Sequence, residues 1–188
     1  MRPFFLNYKS IKITWFTFFT IFSVSLSYFI AGLLAKEYEE DKNKIGDIFL
    51  IVLIIGFIGA RLSYVMMNFN LYKDNLISIF KITHYNLYLI GGIISGLLAL
   101  IILSRIYRIE LEKLFKILIV PFYFSMAIGI WVLAFDRTLI VFHSSKILYL
   151  SLLFTLGMIL ELILWKKLKN KYISIVILTI VILLYYLI

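Results

Sequence analysis

One arginine stands inside a long apolar run, and its chemistry gives the first indication of function. The run is Ile45–Phe69, and Arg61 lies within the string Gly59–Tyr64, which reads GARLSY. An arginine at the centre of a membrane-spanning helix costs roughly 2.5–3.5 kcal/mol on insertion scales, so a position facing lipid is disfavoured. Arg61 is therefore expected to face a protein interior or a wet cavity. An anionic lipid headgroup is its natural partner, because a guanidinium matches phosphate geometry, and Glu161 and Asp136 are the competing carboxylates.

The composition is that of an integral membrane protein. The chain has 188 residues, of which 63% are hydrophobic, whereas soluble domains are about 45–50% apolar. It has no Cys and only two His, which excludes disulfides and thiolate metal sites and argues against a histidine metal site. We expect neither a metal nor a cofactor. The net charge of +9 is interpreted as a feature of membrane topology and not of nucleic-acid binding.

Six apolar runs are long enough to be read as spans, each needing about 20 residues. Backbone polar groups in lipid must be satisfied internally, so the runs are predicted to be helices. The predicted fold is all-α, a single polytopic membrane domain over residues 1–188 with about six transmembrane helices. Pro121, in the fourth run, is expected to kink its helix. The runs are Ile11–Ala35, Gly46–Phe69, Asn86–Ser104, Leu114–Phe135, Ile147–Trp165 and Tyr172–Ile188.

The distribution of basic residues predicts the orientation of these helices. Eleven Lys and Arg residues fall in one set of alternate connections and seven in the other. The richer set is expected in the cytoplasm, which places both termini outside. The first run is too long for a typical signal peptide and no clear cleavage site precedes Lys36, so it is interpreted as a retained span.

The connection between the second and third runs, Asn70–Tyr85, mixes apolar residues with Lys73, Asp74 and Lys81. Two interpretations fit this pattern. One is an amphipathic helix at the outer membrane surface, and the other is an ordinary outer loop.

Several informative residues share one predicted depth, in the outer half of the membrane. They come from four different spans, as expected for a cavity that opens to the outer leaflet: Trp15 from the first, Arg61 from the second, Gly91 and Gly92 from the third, and Gly129 and Trp131 from the fourth. Each also has a structural explanation: the glycines belong to small-x-x-x-small patterns that allow close helix packing, and the tryptophans suit an interfacial belt. The candidate lipid-binding residues are Arg61, Tyr64, Trp15, Gly91 and Gly92.

Five strings, taken in order, resemble the motifs of a known family. Gly59–Val65 with Asn68–Tyr72 is similar to its G-[GA]-R-L-x-Y-V region, and Leu89–Ala99 to its F-H-G-G-L-L-G-G-L-L-A string. Weaker similarities lie at Ile13–Phe16, Ala127–Gly129 and Leu148–Tyr149. The family is prolipoprotein diacylglyceryl transferase.

The resemblance implies a reaction and its partners. The family transfers a diacylglyceryl group from phosphatidylglycerol to the thiol of a lipobox cysteine on a preprolipoprotein. Since that cysteine belongs to the substrate, a chain without Cys is compatible with the family. The implied partners are membrane phospholipid and a prolipoprotein signal peptide, and the implied location is the bacterial plasma membrane.

The chain departs from the family at the polar residues credited with chemistry. The family's Tyr, His, Arg and Asn fall at Phe16, Ile90, Ile130 and Leu133. The family also has a seventh span with a further arginine. No such span follows the sixth run in this sequence. The catalytic residues are therefore unknown. His84 is a poor substitute for the lost base, and His143 is expected in an outer loop.

Two interpretations follow from these departures. In the first, the chain kept the fold and a phospholipid site around Arg61 but lost catalysis. In the second, it is an active, divergent transferase. The loss of every credited polar group favours the first, because fold similarity alone does not carry activity.

Overall fold

The computed structural model describes residues 4–8, 11–73, 75–80, 86–135, 144–167 and 173–187, and most of them are helical. Two strands, β1 (Phe4–Tyr8) and β2 (Ile11–Thr14), come first. Two 3-10 helices, Phe69–Leu71 and Leu76–Phe80, follow the second long helix. The α-helices are α1 (Trp15–Glu37), α2 (Lys42–Met67), α3 (Leu89–Tyr107), α4 (Leu111–Gly129), α5 (Val132–Phe135), α6 (Ser144–Lys167) and α7 (Ile173–Leu187).

The helices confirm an all-α integral membrane protein. Within the described ranges, five helical segments are long and apolar enough to cross a bilayer, and α4 and α5 together form one of them, Leu111–Phe135. The sixth predicted span corresponds to α7, whose 15 residues are fewer than the roughly 20 needed to cross the hydrocarbon. The side on which each terminus lies stays a prediction.

The start predicted for the first span was wrong. Ile11–Thr14 forms strand β2, which pairs with β1 in an antiparallel hairpin, and α1 begins only at Trp15. Ile11, Ile13 and Thr14 are β-branched and favour extended backbone, a preference that a hydropathy count does not register. Thr14 also caps the helix, because its side chain accepts a hydrogen bond from the Thr17 amide at 3.2 Å.

The chain divides into two compact units. The first consists of Met1–Tyr38 and Lys116–Ile188, and the second is Glu39–Phe115; a single-domain organisation stays a prediction. In the first unit the Ser27 hydroxyl donates to the carbonyl of Pro121 at 3.0 Å and links α1 to α4. Pro121 lies inside α4, which continues past it to Gly129.

The second unit is built on α2 and α3, which pack against each other along their lengths. Helix α3 ends at Tyr107, and Arg108 caps it in the left-handed conformation with φ 56°. Lys113 and Glu40 form an ion pair at 2.6 Å in the same unit. Between α2 and α3, the described part of Asn70–Tyr85 forms short 3-10 helices instead of one amphipathic α-helix.

Candidate functional site

Arg61 lies on α2 and is buried, with 5% of its surface exposed. Among the described residues, its guanidinium donates to three backbone carbonyls that follow α2 in the sequence. Nε binds the Ile79 oxygen at 2.9 Å, and Nη2 binds the Ser78 oxygen at 3.2 Å. Nη1 binds the Asn86 oxygen at 3.1 Å. Arg61 therefore faces the protein interior, as the sequence predicts, and fastens the connection between α2 and α3 to the side of α2.

Tyrosine rings surround the same guanidinium. The Arg61 Cζ atom lies 5.3 Å from the ring centroid of Tyr72, which is buried, and 5.9 Å from that of Tyr64. Both distances fall in the range of cation–π contacts. The Tyr64 ring in turn contacts Tyr88 at 5.3 Å between centroids. One ring from α2 and one from the segment after it thus stabilise the charge on Arg61.

The α2–α3 contact is made of small residues at close range. A Cβ atom on Gly59 would clash with the side chain of Ser95, and one on Gly91 would clash with that of Ser63. The Ser95 hydroxyl lies 2.9 Å from the Gly91 oxygen and 3.2 Å from the Ile55 oxygen on the opposite helix. Such proximity requires glycine, because any larger side chain would push the two backbones apart.

Gly92 takes part in the same packing. A Cβ atom there would lie 3.1 Å from the Gly56 oxygen and 3.3 Å from the Cβ of Ala60. The Tyr88 amide donates to the Ala60 oxygen at 3.0 Å, which ties the start of α3 to α2. The close helix packing expected from the small-x-x-x-small patterns is therefore confirmed, with Gly56 and Ala60 as the residues of α2 that contact Gly92. A lipid-binding role for Gly91 and Gly92 stays a prediction.

Trp15 belongs to the other compact unit, as the first residue of α1. Its ring stacks on Phe135 with 4.6 Å between centroids and meets Phe5 edge-on at 5.2 Å. The structure thus brings together Arg61, Tyr64, Gly91 and Gly92 in one unit and shows Trp15 in an aromatic cluster of its own.

The break between α4 and α5 falls at the predicted signature string. The chain leaves the helix after Gly129 and resumes at Val132. Ser151 of α6 bridges this break, because its hydroxyl accepts from Trp131 Nε1 at 3.1 Å and donates to the Ala127 oxygen at 3.0 Å. The Ala127 carbonyl, which the break leaves without a partner in its own helix, is thereby satisfied within the membrane-spanning segment.

Of the two carboxylates proposed as partners of Arg61, Glu161 binds a serine instead and Asp136 is not described. Glu161 is buried on α6, where its Oε2 accepts a 2.7 Å hydrogen bond from the Ser174 hydroxyl of α7. Asp136, His84 and His143 lie outside the described residues. Among the residues that are described, no group of three His, Asp or Glu side chains could hold a metal ion.

Sequence reasoning missed the partners that Arg61 uses. The carbonyls of Ser78, Ile79 and Asn86 carry no signal, because every residue has a carbonyl. Tyr72 was a better candidate, since an aromatic residue shortly after a buried arginine can turn back onto it. For the contact between α2 and α3, the Gly91-x-x-x-Ser95 spacing was an available signal, because it places two small residues on one helix face.

Comparison with known proteins identifies the relatives of the chain. The prolipoprotein diacylglyceryl transferase family profile matches residues 3–140. A phosphatidylglycerol–prolipoprotein diacylglyceryl transferase of Listeria innocua is 30% identical over 131 residues, which cover 70% of this chain and 47% of the relative. The enzyme of the same name from Clostridium kluyveri is 31% identical and is covered over 51% of its length.

The chain spans about half the length of the relatives it matches. No solved structure matches it. The family profile covers the described helices α1 to α5 and the whole of the Arg61 site. The chain therefore belongs to the prolipoprotein diacylglyceryl transferase family.

Proposed function

We propose that the protein binds an anionic phospholipid, phosphatidylglycerol first among them, in the bacterial plasma membrane without transferring its diacylglyceryl group. The observation that carries this proposal is the set of apolar residues at the motif positions where the family has polar ones. These residues are Phe16, Ile90, Ile130 and Leu133.

The chemistry of the transfer explains why those replacements matter. A thiol must lose its proton to attack the lipid, and the departing phosphate needs donors or cations nearby. Ile90 and Ile130 can neither accept a proton nor donate a hydrogen bond. Ile90 is 47% exposed on α3, and Ile130 is 7% exposed at the α4–α5 break. An apolar side chain at either place supplies only packing or lipid contact.

Arg61 supports the phospholipid part of the proposal. Its guanidinium is held at a fixed place in a membrane-spanning helix by three carbonyls and the Tyr72 ring. A charge in that low-dielectric setting attracts anions more strongly than the same charge in water. The relatives are named for phosphatidylglycerol and prolipoprotein, so these are the first ligands to test. A prolipoprotein signal peptide is the second expected partner.

The alternative function is an active, divergent diacylglyceryl transferase. The family match favours it, because that match includes α2 and α3 with their Gly59, Arg61, Gly91 and Gly92 strings. In that case groups other than those at the four replaced positions would have to activate the thiol.

Complementation separates the two functions. The chain is expressed in a bacterium depleted of its own transferase, together with a reporter lipoprotein, and a full-length transferase serves as the positive control. We expect the reporter to remain unmodified while the chain accumulates in the membrane. Mass spectrometry that detects diacylglyceryl-modified reporter would overturn the non-catalytic proposal in favour of the alternative.

Lipid binding is measured on the purified protein. Phospholipid that co-purifies in mild detergent is quantified for the wild type, for Arg61→Ala and for Arg105→Ala. Arg105 is a matched control, because it is exposed near the end of α3 and its replacement removes the same charge. We expect Arg61→Ala alone to lower the amount of anionic lipid per chain severalfold. Equal amounts in all three proteins would remove Arg61 from the lipid site.

A further inference from the structure

Exposed apolar side chains run from the Met67 end of α2 onto both 3-10 helices. Met67 is 76% exposed, Ile77 is 76% exposed and Phe80 is 83% exposed. Neither 3-10 helix contains a buried residue. We call this set the 3-10 surface; it comprises Met66, Met67, Phe69, Leu71, Ile77 and Phe80. Apolar side chains exposed in such number require a nonaqueous neighbour.

The length of α2 gives the depth of this surface in the membrane. Asp47 is exposed, and it is the last charged residue of α2 before Arg61. The hydrocarbon of a bilayer is about 30 Å thick, which corresponds to about 20 helical residues. With Asp47 at one boundary, the other boundary falls at Met67. Arg61 then lies about 9 Å inside the hydrocarbon, measured along the helix axis.

The hydrogen bonds of Arg61 explain how nonhelical backbone can lie near that boundary. The carbonyls of Ser78 and Ile79 bind its guanidinium. Their depth in the membrane therefore differs from that of the Arg61 backbone by no more than the length of an arginine side chain. Nonhelical backbone is tolerated at membrane depth only where its polar groups are satisfied. The Arg61 N–H groups satisfy two carbonyls of the second 3-10 helix and leave its apolar side chains pointing outward.

We infer that the 3-10 surface is a membrane-interface element, in contact with lipid at the boundary between headgroups and acyl chains, and that Arg61 holds it there. The element lies in the leaflet at the Met67 end of α2, which the distribution of basic residues predicts to be the outer one. This inference concerns the membrane itself and does not depend on whether the protein binds phosphatidylglycerol specifically.

Continuity with a spanning helix favours lipid as the occupant over another protein. The surface begins on α2 itself, a helix long and apolar enough to span the membrane, whose mid-helix residues Ile54 and Ile58 are 55% and 51% exposed. The exposed Lys73, between the two 3-10 helices, would lie at the headgroup layer, where its charge is attracted to phosphate. An apolar element with an adjacent lysine is the composition typical of interfacial segments.

The absence of cysteine makes the test direct, because one introduced cysteine can carry a fluorophore alone. An environment-sensitive dye is attached at Ile77→Cys or Phe80→Cys in the full chain, reconstituted into phosphatidylcholine–phosphatidylglycerol vesicles. Quenching by a spin-labelled lipid is compared with quenching by aqueous iodide. Ile54→Cys serves as the control within the bilayer and Lys44→Cys as the control in water.

We expect Ile77 and Phe80 to be quenched by the lipid-borne label at least threefold more than Lys44, and by iodide at least threefold less. Quenching by iodide equal to that at Lys44 would overturn the inference in favour of a loop in water. Protection from both quenchers would also overturn it, because it would indicate a protein neighbour such as a second copy of the chain.

The role of Arg61 is tested in the same preparation. Arg61→Met keeps the length of the side chain and removes its donors, and we expect dye at Ile77 to become severalfold more accessible to iodide. Dye at Ile54 should be unaffected, which shows that α2 still spans the membrane. If Ile77 remains as protected in Arg61→Met as in the wild type, Arg61 does not hold the surface in place.

Discussion

Gly59 and Gly91 face each other reciprocally across the contact between α2 and α3. A Cβ atom on either one would lie 2.9 Å from the carbonyl oxygen of the other. The two helices therefore touch backbone to backbone at this point. This close contact sets the separation of α2 and α3, and hence the distance between Arg61 on α2 and Tyr88 at the start of α3.

Gly91→Ala is expected to destabilise the α2–α3 pair. The added methyl group would meet the Ser63 side chain and the Gly59 carbonyl, neither of which can move without shifting α2. Overpacking of this kind costs about 1–3 kcal/mol. Thermal unfolding in detergent, followed by circular dichroism, should show a lower midpoint. Gly96→Ala is the matched control: its methyl would meet Val52 at an ordinary 3.7 Å, and an equal loss there would contradict the explanation.

Tyr72→Leu is expected to lower stability more than Tyr72→Phe. Phenylalanine keeps the ring that lies 5.3 Å from the Arg61 guanidinium, whereas leucine removes it. A desolvated cation–π contact is worth about 2 kcal/mol, and Tyr72 is buried. Denaturation midpoints of the two variants, each in the wild-type and Arg61→Met backgrounds, form a double-mutant cycle. A coupling energy near zero would show that the ring and the cation do not interact.

Ser174→Ala is expected to weaken the packing of α6 against α7. The variant loses the 2.7 Å hydrogen bond to Glu161, whose side chain is buried. A buried group that loses its partner costs about 1–3 kcal/mol. Adding Glu161→Leu to Ser174→Ala should recover stability, because replacing both partners by apolar groups is nearly neutral. Unfolding midpoints give the comparison, and a double variant less stable than Ser174→Ala would argue for another role of Glu161.

Ser151→Ala is expected to loosen the break between α4 and α5. It removes the acceptor of Trp131 Nε1 and the donor to the Ala127 oxygen. Ser151→Thr keeps the hydroxyl and is the matched control. Each variant is measured with and without the further change Trp131→Phe. The difference between the two spectra is the fluorescence of Trp131. That signal should change in intensity and emission maximum in the alanine variant only, and the same change in the threonine variant would contradict the prediction.

The spans could be predicted from sequence because lipid leaves an apolar run few alternatives to a helix. The same reasoning failed at Ile11–Thr14, where β-branched residues made the segment apolar and extended at once. The burial of Arg61 was predictable, since a charge in hydrocarbon needs partners. Its partners were not, because three backbone carbonyls were brought to it by the path of the chain after α2. The glycine spacing predicted close packing but could not give the reciprocal contact of Gly59 with Gly91.

The junction at Thr14 has a mechanical consequence. Thr14 ends strand β2 and caps α1, so no flexible residue separates the hairpin from the first spanning helix. Phe5 of β1 also stacks on Phe18 of α1 at 4.0 Å between ring centroids. The hairpin is therefore coupled directly to α1. Any tilt that the bilayer imposes on this helix is passed on to both strands of the hairpin.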